Sequence, residues 1–352
     1  MTMLPNEQLS ATDAAQSFFE YLVKHRPMVE DALVAALGAV ARDDELDRYL
    51  YGPVRDFTLR GGKRTRPILC LLGAEAVGGD KECALGAGMA VELFQTAALI
   101  HDDVADESLL RRGVPCMHVS EGTGPAVNNG DAALVDVLDV ILDDTRLDDA
   151  TKLRVLGEVS KMERRTVEGQ ALDLCWGRDD RWDITVDDYM RMATLKTAHY
   201  SCATPLALGA ICAGGTDAQI EALRAFGIDA GLAFQLQDDL LDLTASEDQR
   251  GKNEMGDISE GKRTLAVVWA LGHAGPTERD ELVRILSAHT VDLGECSRAV
   301  RIMEDCGALE HVRRTAIDLA SRSKEHLSGV GLTASSRVVL ESMADFFVER
   351  LR

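Results

Sequence analysis

The acidic pentad Asp102-Asp103-Val104-Ala105-Asp106 recurs as Asp238-Asp239-Leu240-Leu241-Asp242, each copy set in an apolar run and the two far apart in the chain. Residues four apart share a helix face, so Asp102 with Asp106, and Asp238 with Asp242, each aim two carboxylates into one space. Carboxylates crowded in this way repel unless a hard cation sits between them. Mg²⁺ takes one or two carboxylates, several waters and phosphate oxygens. Two facing clusters therefore imply a cavity that binds a diphosphate through metal. A single pentad reads as a solvated acidic face, but two copies inside apolar runs do not.

A second feature is basic. Gly61-Gly62-Lys63-Arg64-Thr65-Arg66-Pro67 sets three cations beside a flexible glycine pair, and Arg111-Arg112-Gly113 follows the first pentad closely. Arg grips phosphate oxygens through its bidentate fork and Lys as a point charge. Alone, such a segment reads as a surface loop; beside the pentads it implies a second phosphate-bearing ligand, bound without metal.

The rest of the chain reads as helical. From Ala84 to Asp103 there is no Pro, and Ala87, Val91, Phe94, Ala98 and His101 recur at helical spacing; Ile220 to Leu243 behaves alike. Turn signals fall at Gly78-Gly79-Asp80, 122–125, 176–180, 214–217, 246–256 and Gly275-Pro276. No sustained strand-type alternation is found. The expectation is an all-α fold, a single large helical bundle of about ten or more helices around a central cavity, with residues 1–15 a loose N-terminal extension and 16–352 one domain. Residues 277–352 carry helical pattern without readable chemistry.

Composition narrows the function. A net charge of −21 over 352 residues argues against nucleic acid or an anionic membrane surface as partner. The eight Cys are scattered without a C-x-x-C pair, which fits reduced thiols in a cytoplasm. No leader-like apolar start and no uninterrupted apolar run long enough to span a bilayer are expected.

Taken together, these residues resemble the trans-prenyltransferase family of head-to-tail polyprenyl diphosphate synthases, in the family's order from Gly61 to Leu265. Gly61–Pro67 is similar to its Gly-Gly-Lys-x-x-Arg-Pro segment, and Leu99–Asp106 with Arg111-Arg112-Gly113 to its first Asp-rich region. Gly130-Asp131, Lys196-Thr197-Ala198, Phe234–Asp242, Gly251-Lys252 and Glu260–Leu265 follow. Two departures stand out: Cys116 where Thr is usual, and Asn-Glu-Met after Lys252 where Pro is frequent.

The resemblance implies an isoprenoid-synthase fold, a homodimer with the Ala84–Asp103 region near its interface, and three Mg²⁺ ions. It carries over Asp102, Asp106 and Asp238 as metal ligands, with Asp103, Asp239 and Asp242 orienting them or binding metal-held water. Arg111, Lys196, Lys252 and Lys262 would add positive charge to the allylic diphosphate as its carbon–oxygen bond breaks, and Thr197 and Gln235 would turn dipoles toward the cation. Isopentenyl diphosphate would be held by Gly62, Lys63, Arg66, Gln95 and Arg112. His101, next to the pentad, is expected to pack or hydrogen-bond rather than bind Mg²⁺, which prefers oxygen. His118 would stabilise the loop after Arg112, and Asp131 and Asp173 would serve structural or supporting roles.

Product length follows from the stripe below Asp102. Short-chain relatives place a bulky aromatic four or five residues before the first Asp; here those positions are Ala98 and Ala97, and neither blocks. Phe94, two turns down, lies about 12 Å from Asp102 along the axis, deep enough for a geranylgeranyl chain. If Phe94 is instead an ordinary core aromatic, the floor lies on another helix and the product is longer. Farnesyl or longer products, a class I terpene cyclase and a non-catalytic subunit are the alternatives. The isopentenyl segment and the second Asp pentad weigh against the last two.

Overall fold

The computed structural model describes residues 14–38, 43–244 and 256–349. Most of the expected 1–15 extension, and Gly251-Lys252 with it, lies outside the described residues. Of that extension Ala14 and Ala15 are described, and Ala15 is already buried in the core.

Amphipathic runs fold as helices throughout, and their boundaries follow local chemistry. The Asp148 carboxylate accepts from the Thr151 N–H at 2.7 Å and starts the 30-residue helix Asp149–Arg178, which carries through the expected break at 176–178. Thr185 and Asp188 form a reciprocal capping box before Val186–Ala193. One apolar core joins the chain from end to end: Phe18 meets Phe347 edge-on at 5.9 Å, and both belong to the same buried cluster as Leu69, Val91 and Leu236. Residues 277–349 thus complete the core.

Two long helices define the functional end. The first acidic helix, Leu85–Ala105, closes with the Asp106 N–H donating to Asp102 O at 2.8 Å. The second, Asp217–Thr244, carries its pentad in its last two turns. Both clusters therefore sit where a helix presents the negative end of its dipole, which adds to the demand for cations. The span Lys81–Ala105 is long and apolar enough to cross a membrane, but 78% of its apolar window is buried inside the fold.

Of the departures from the uniform helical expectation, two bear on the site. A two-stranded hairpin pairs Leu110 with Pro115 and Arg111 with Val114, turning through Arg112 and Gly113 at positive φ, as a tight two-residue hairpin turn requires. Thr194–Ala203 winds as a π-helix, a form concentrated at functional sites. Gly169 lets the 149–178 helix press against it, since a Cβ there would lie 2.3 Å from the Lys196 backbone nitrogen.

Candidate active site

At the end of the first acidic helix the three acids diverge. Asp103 is 1% exposed and takes the Arg111 guanidinium at 2.6 Å. Asp102 is half-buried and accepts from Gln170 Nε2 at 2.7 Å. Burial raises its pKa against the pull of Lys196, Arg111 and Lys262. Asp106, on the rim, is pushed up to about 6 by desolvation of its carboxyl, with Glu260 and Asp102 adding to the push and Lys262 opposing it.

The second cluster is held differently. Asp239 accepts from the Tyr189 hydroxyl at 2.6 Å and Gln235 Nε2 at 2.7 Å, both neutral. Burial and the nearby Asp257 push it up to about 7. Asp242 receives the backbone N–H groups of Gly256 and Asp257 at 3.2 and 3.1 Å, and burial with Asp257 lifts it to about 6. Asp238 is half-buried beside them.

Two lysines serve both clusters. Burial alone would lower the Lys196 ammonium, but Asp173, at 2.5 Å, and Asp102 outweigh it and raise its pKa. Lys262 is likewise driven up by Asp257 and Glu260, at 3.3 and 2.5 Å, with Asp106 adding to them. Lys196, Thr197, Gln235, Asp239 and Lys262 line one polar cavity of about 90 Å³.

The other cations gather apart from these acids. Arg112 donates to Gly61 O, and its pKa is lowered by burial and by Arg64, Arg111 and Arg66 around it. Gly62, at φ +136°, leaves room for the guanidinium, which a Cβ would meet at 3.3 Å. Arg66 Nη2 donates to Tyr200 and Ser201. Arg64 points inward, to Glu92 and Thr58 O. Gln95 is half-buried and Lys63 is already partnered.

The other residues singled out in the sequence have varied surroundings. Ala97 is fully buried and packs with Val54 and Ala133 in a separate small cluster, while Ala98, one residue on, is turned by about 100°. Gln235, in the cavity wall, donates its amide Nε2 to Asp239. Asp173 stands in the cavity wall. Phe94 is buried in the main core, edge-on to Tyr200 at 5.9 Å, while Ala98 is half-buried. His101 contacts Val127 O at 3.3 Å and Asp131 at 3.5 Å, and His118 keeps a buried Nδ1 with no partner among the described residues. Sequence reasoning missed Gln170, Tyr189 and Asp257. Gln170 and Asp173, three apart on one helix face, were the available signal.

The donor set fits a hard divalent cation. It offers oxygen alone, from acids that resist ionising side by side. Among the described residues no three His, Cys, Asp or Glu side chains converge to hold an ion unaided; a hard divalent cation here would also take water and phosphate oxygens.

Comparison with known proteins agrees with this arrangement. The short chain isoprenyl diphosphate synthase of Methanothermobacter thermautotrophicus is 40% identical over 291 residues, 82% of this chain and 87% of its own. The geranylgeranyl diphosphate synthase of Methanosarcina mazei is 34% identical over 93% of this chain and 97% of its own. The crystal structure of a polyprenyl synthase from Caulobacter crescentus, complexed with calcium and isoprenyl diphosphate, superposes with a TM-score of 0.83 at 28% identity, covering 99% of this chain and 100% of that one. Residues 47–303 match the polyprenyl synthetase family model, and the chain belongs to that family as an all-α trans-prenyltransferase.

Proposed function

We propose that this chain is a Mg²⁺-dependent geranylgeranyl diphosphate synthase that acts as a homodimer in a reducing, cytoplasmic compartment. The observation that carries the catalytic reading is the separation of charge: Lys196 and Lys262 stand between the two acid clusters, Arg66 and Arg112 gather apart from them, and Arg111, paired with Asp103, stands at the join.

The division suits two diphosphates with different roles. Asp102, Asp106 and Asp238 would hold Mg²⁺, which supplies positive charge to an allylic diphosphate. Lys196 and Lys262 are held charged by their acid partners, preorganised where negative charge grows on the leaving group. Lys63, Arg66 and Arg112 hold the second diphosphate, that of isopentenyl diphosphate, whose double bond attacks the allylic carbon. Thr197 and the Lys196 carbonyl offer dipoles to that carbon. Ala98 leaves the first turn below Asp102 open, and Phe94 stands one turn deeper.

The dimer reading rests on exposed apolar side chains. Val135, Leu138 and Leu142 form one stripe of the Thr123–Leu142 helix, and Leu153, Val167 and Leu174 another on the 149–178 helix, between 40 and 70% exposed. This moves the expected interface from Ala84–Asp103, which is buried in the fold, to the neighbouring pair of helices. The unbridged state of all eight cysteines suits a reducing compartment.

Incubation with labelled isopentenyl diphosphate, farnesyl diphosphate and Mg²⁺, followed by mass spectrometry, tests the function. A twenty-carbon diphosphate is expected. No incorporation of label would overturn prenyl elongation, and a longer chain would overturn only the product. Sedimentation of Leu138→Asp tests the dimer: an unchanged sedimentation coefficient relative to wild type would refute this face.

A further inference from the structure

Arg66 does not reach the site unaided. Its Nη2 donates to the Tyr200 hydroxyl at 2.8 Å and to Ser201 Oγ at 2.9 Å, and the guanidinium lies 4.3 Å from the centroid of the Tyr200 ring. Nε is buried and donates to nothing among the described residues, so the Tyr200–Ser201 contacts fix how the fork is turned. With both Nη2 protons donated and Nε buried, Nη1 is the nitrogen left to meet a phosphate oxygen, and its aim depends on that orientation. Tyr200 in turn leans on Phe94, edge to face at 5.9 Å and 74°.

Both residues belong to the π-helix that also carries Lys196 and Thr197. One wide turn of a single element therefore presents a cation to the acid clusters and, further along, a clamp to the arginine cluster. The close approach at Gly169 seats its first turn against the 149–178 helix.

We infer that Tyr200 and Ser201 are positioning residues that hold Arg66 in register for isopentenyl diphosphate, and that the π-helix thereby fixes the spacing between the two diphosphate sites. The inference rests on the prenyl-transfer reading above and adds a role that the charged residues alone do not define. A residue that merely filled the core beside Phe94 would need its ring and not its hydroxyl.

Tyr200→Phe keeps the ring, its contact with Phe94 and its place beside the guanidinium, and removes one acceptor; Ser201→Ala removes the other. KM for isopentenyl diphosphate at saturating farnesyl diphosphate should rise about 3- to 10-fold for each single variant and about 10- to 100-fold for the double variant. KM for farnesyl diphosphate and kcat should stay within about twofold of wild type. In an Arg66→Lys background, where the fork is gone, Tyr200→Phe should add less than about twofold, because the two residues act as one unit. Equal rises in KM for both substrates, an unmoved KM for isopentenyl diphosphate, or full additivity with Arg66→Lys would each overturn the inference. If wild type itself forms no elongated product, it is the prenyl-transfer reading that fails, and this inference falls with it.

Discussion

The two pentads share one spacing, yet their middle acids live in opposite environments. Asp103 is neutralised by a cation, Arg111 at 2.6 Å, whereas Asp239 is wrapped by two neutral donors, Tyr189 and Gln235, with Asp257 nearby to repel its charge. Equal spacing thus fixes where the outer acids point and says nothing of how the middle one is kept. The first cluster sits on a hairpin-braced helix end with Asp106 exposed at the rim; the second is closed over by backbone N–H groups of Gly256 and Asp257.

The largest effects should ignore this asymmetry. Asp102→Ala and Asp238→Ala each remove an outer acid, and either should lower kcat by about a thousandfold or more. Chelation with EDTA should abolish turnover and added Mg²⁺ restore it. Near-normal turnover in one variant alone would show that only one cluster works with metal.

The middle acids should then separate the clusters by stability. Asp103→Asn leaves the Arg111 guanidinium without its charge partner and a buried amide in its place, which should cost about 3 kcal/mol in urea unfolding. Asp239→Asn keeps a neutral group among neutral donors and removes a reluctant charge beside Asp257, so its cost should stay within about 1 kcal/mol. Equal losses would mean that the two environments are equivalent.

Acidity sharpens the same contrast. A carboxyl whose folded pKa lies above its unfolded value stabilises the fold while protonated, and that contribution is lost as pH rises through the folded value. Asp106 and Asp242 at about 6 and Asp239 at about 7 should make metal-free wild type lose stability between about pH 4 and 7. His199, lowered to about 4 by burial and by Arg165 and Arg224, works in the opposite sense over part of that range. The informative quantity is therefore the difference between wild type and Asp239→Asn: the variant should lose less as pH rises, and Mg²⁺ should stabilise wild type most above pH 7. Parallel melting curves across this range would refute the raised acidity of Asp239.

How much of this could be read from the chain differs by kind of residue. That Asp102 and Asp106 share a helix end was legible because spacing of four defines a face whatever the tertiary structure, and Lys63 and Arg66 stood out as cations beside a glycine pair. Ala97 and Ala98 could not be told apart in the sequence because four and five residues before Asp102 fall on different faces, and the packing of Ala97 against Val54 and Ala133 is a tertiary contact. Tyr189, Gln170 and Asp257 act on acids many residues away, contacts that no local pattern encodes. The π-helix at 194–203 was illegible for a related reason: its wider turn is set by neighbours such as Gly169, while its own sequence reads as ordinary helix.

The smallest expected effect on rate concerns the turn beneath each cluster, and there the two helices differ in sequence. Four residues before Asp102 stands Ala98, half-buried and open; four before Asp238 stands Phe234, whose ring packs on Phe347 at 4.9 Å, toward the C-terminal helix. If the growing chain runs down the first helix, Ala98→Phe places a ring about 6 Å below Asp102 and should shorten the product to farnesyl or geranyl while kcat changes little. Phe234→Leu should leave the twenty-carbon product unchanged and lower stability by about 1 kcal/mol, since the lost volume faces the core. Phe94→Ala probes the floor itself, and because Phe94 is buried it should cost about 3–5 kcal/mol as well as lengthen the product. Product mass read beside melting temperature separates the two roles. A product lengthened by Phe234→Leu and untouched by Ala98→Phe would move the chain's path to the second helix and reverse the comparison.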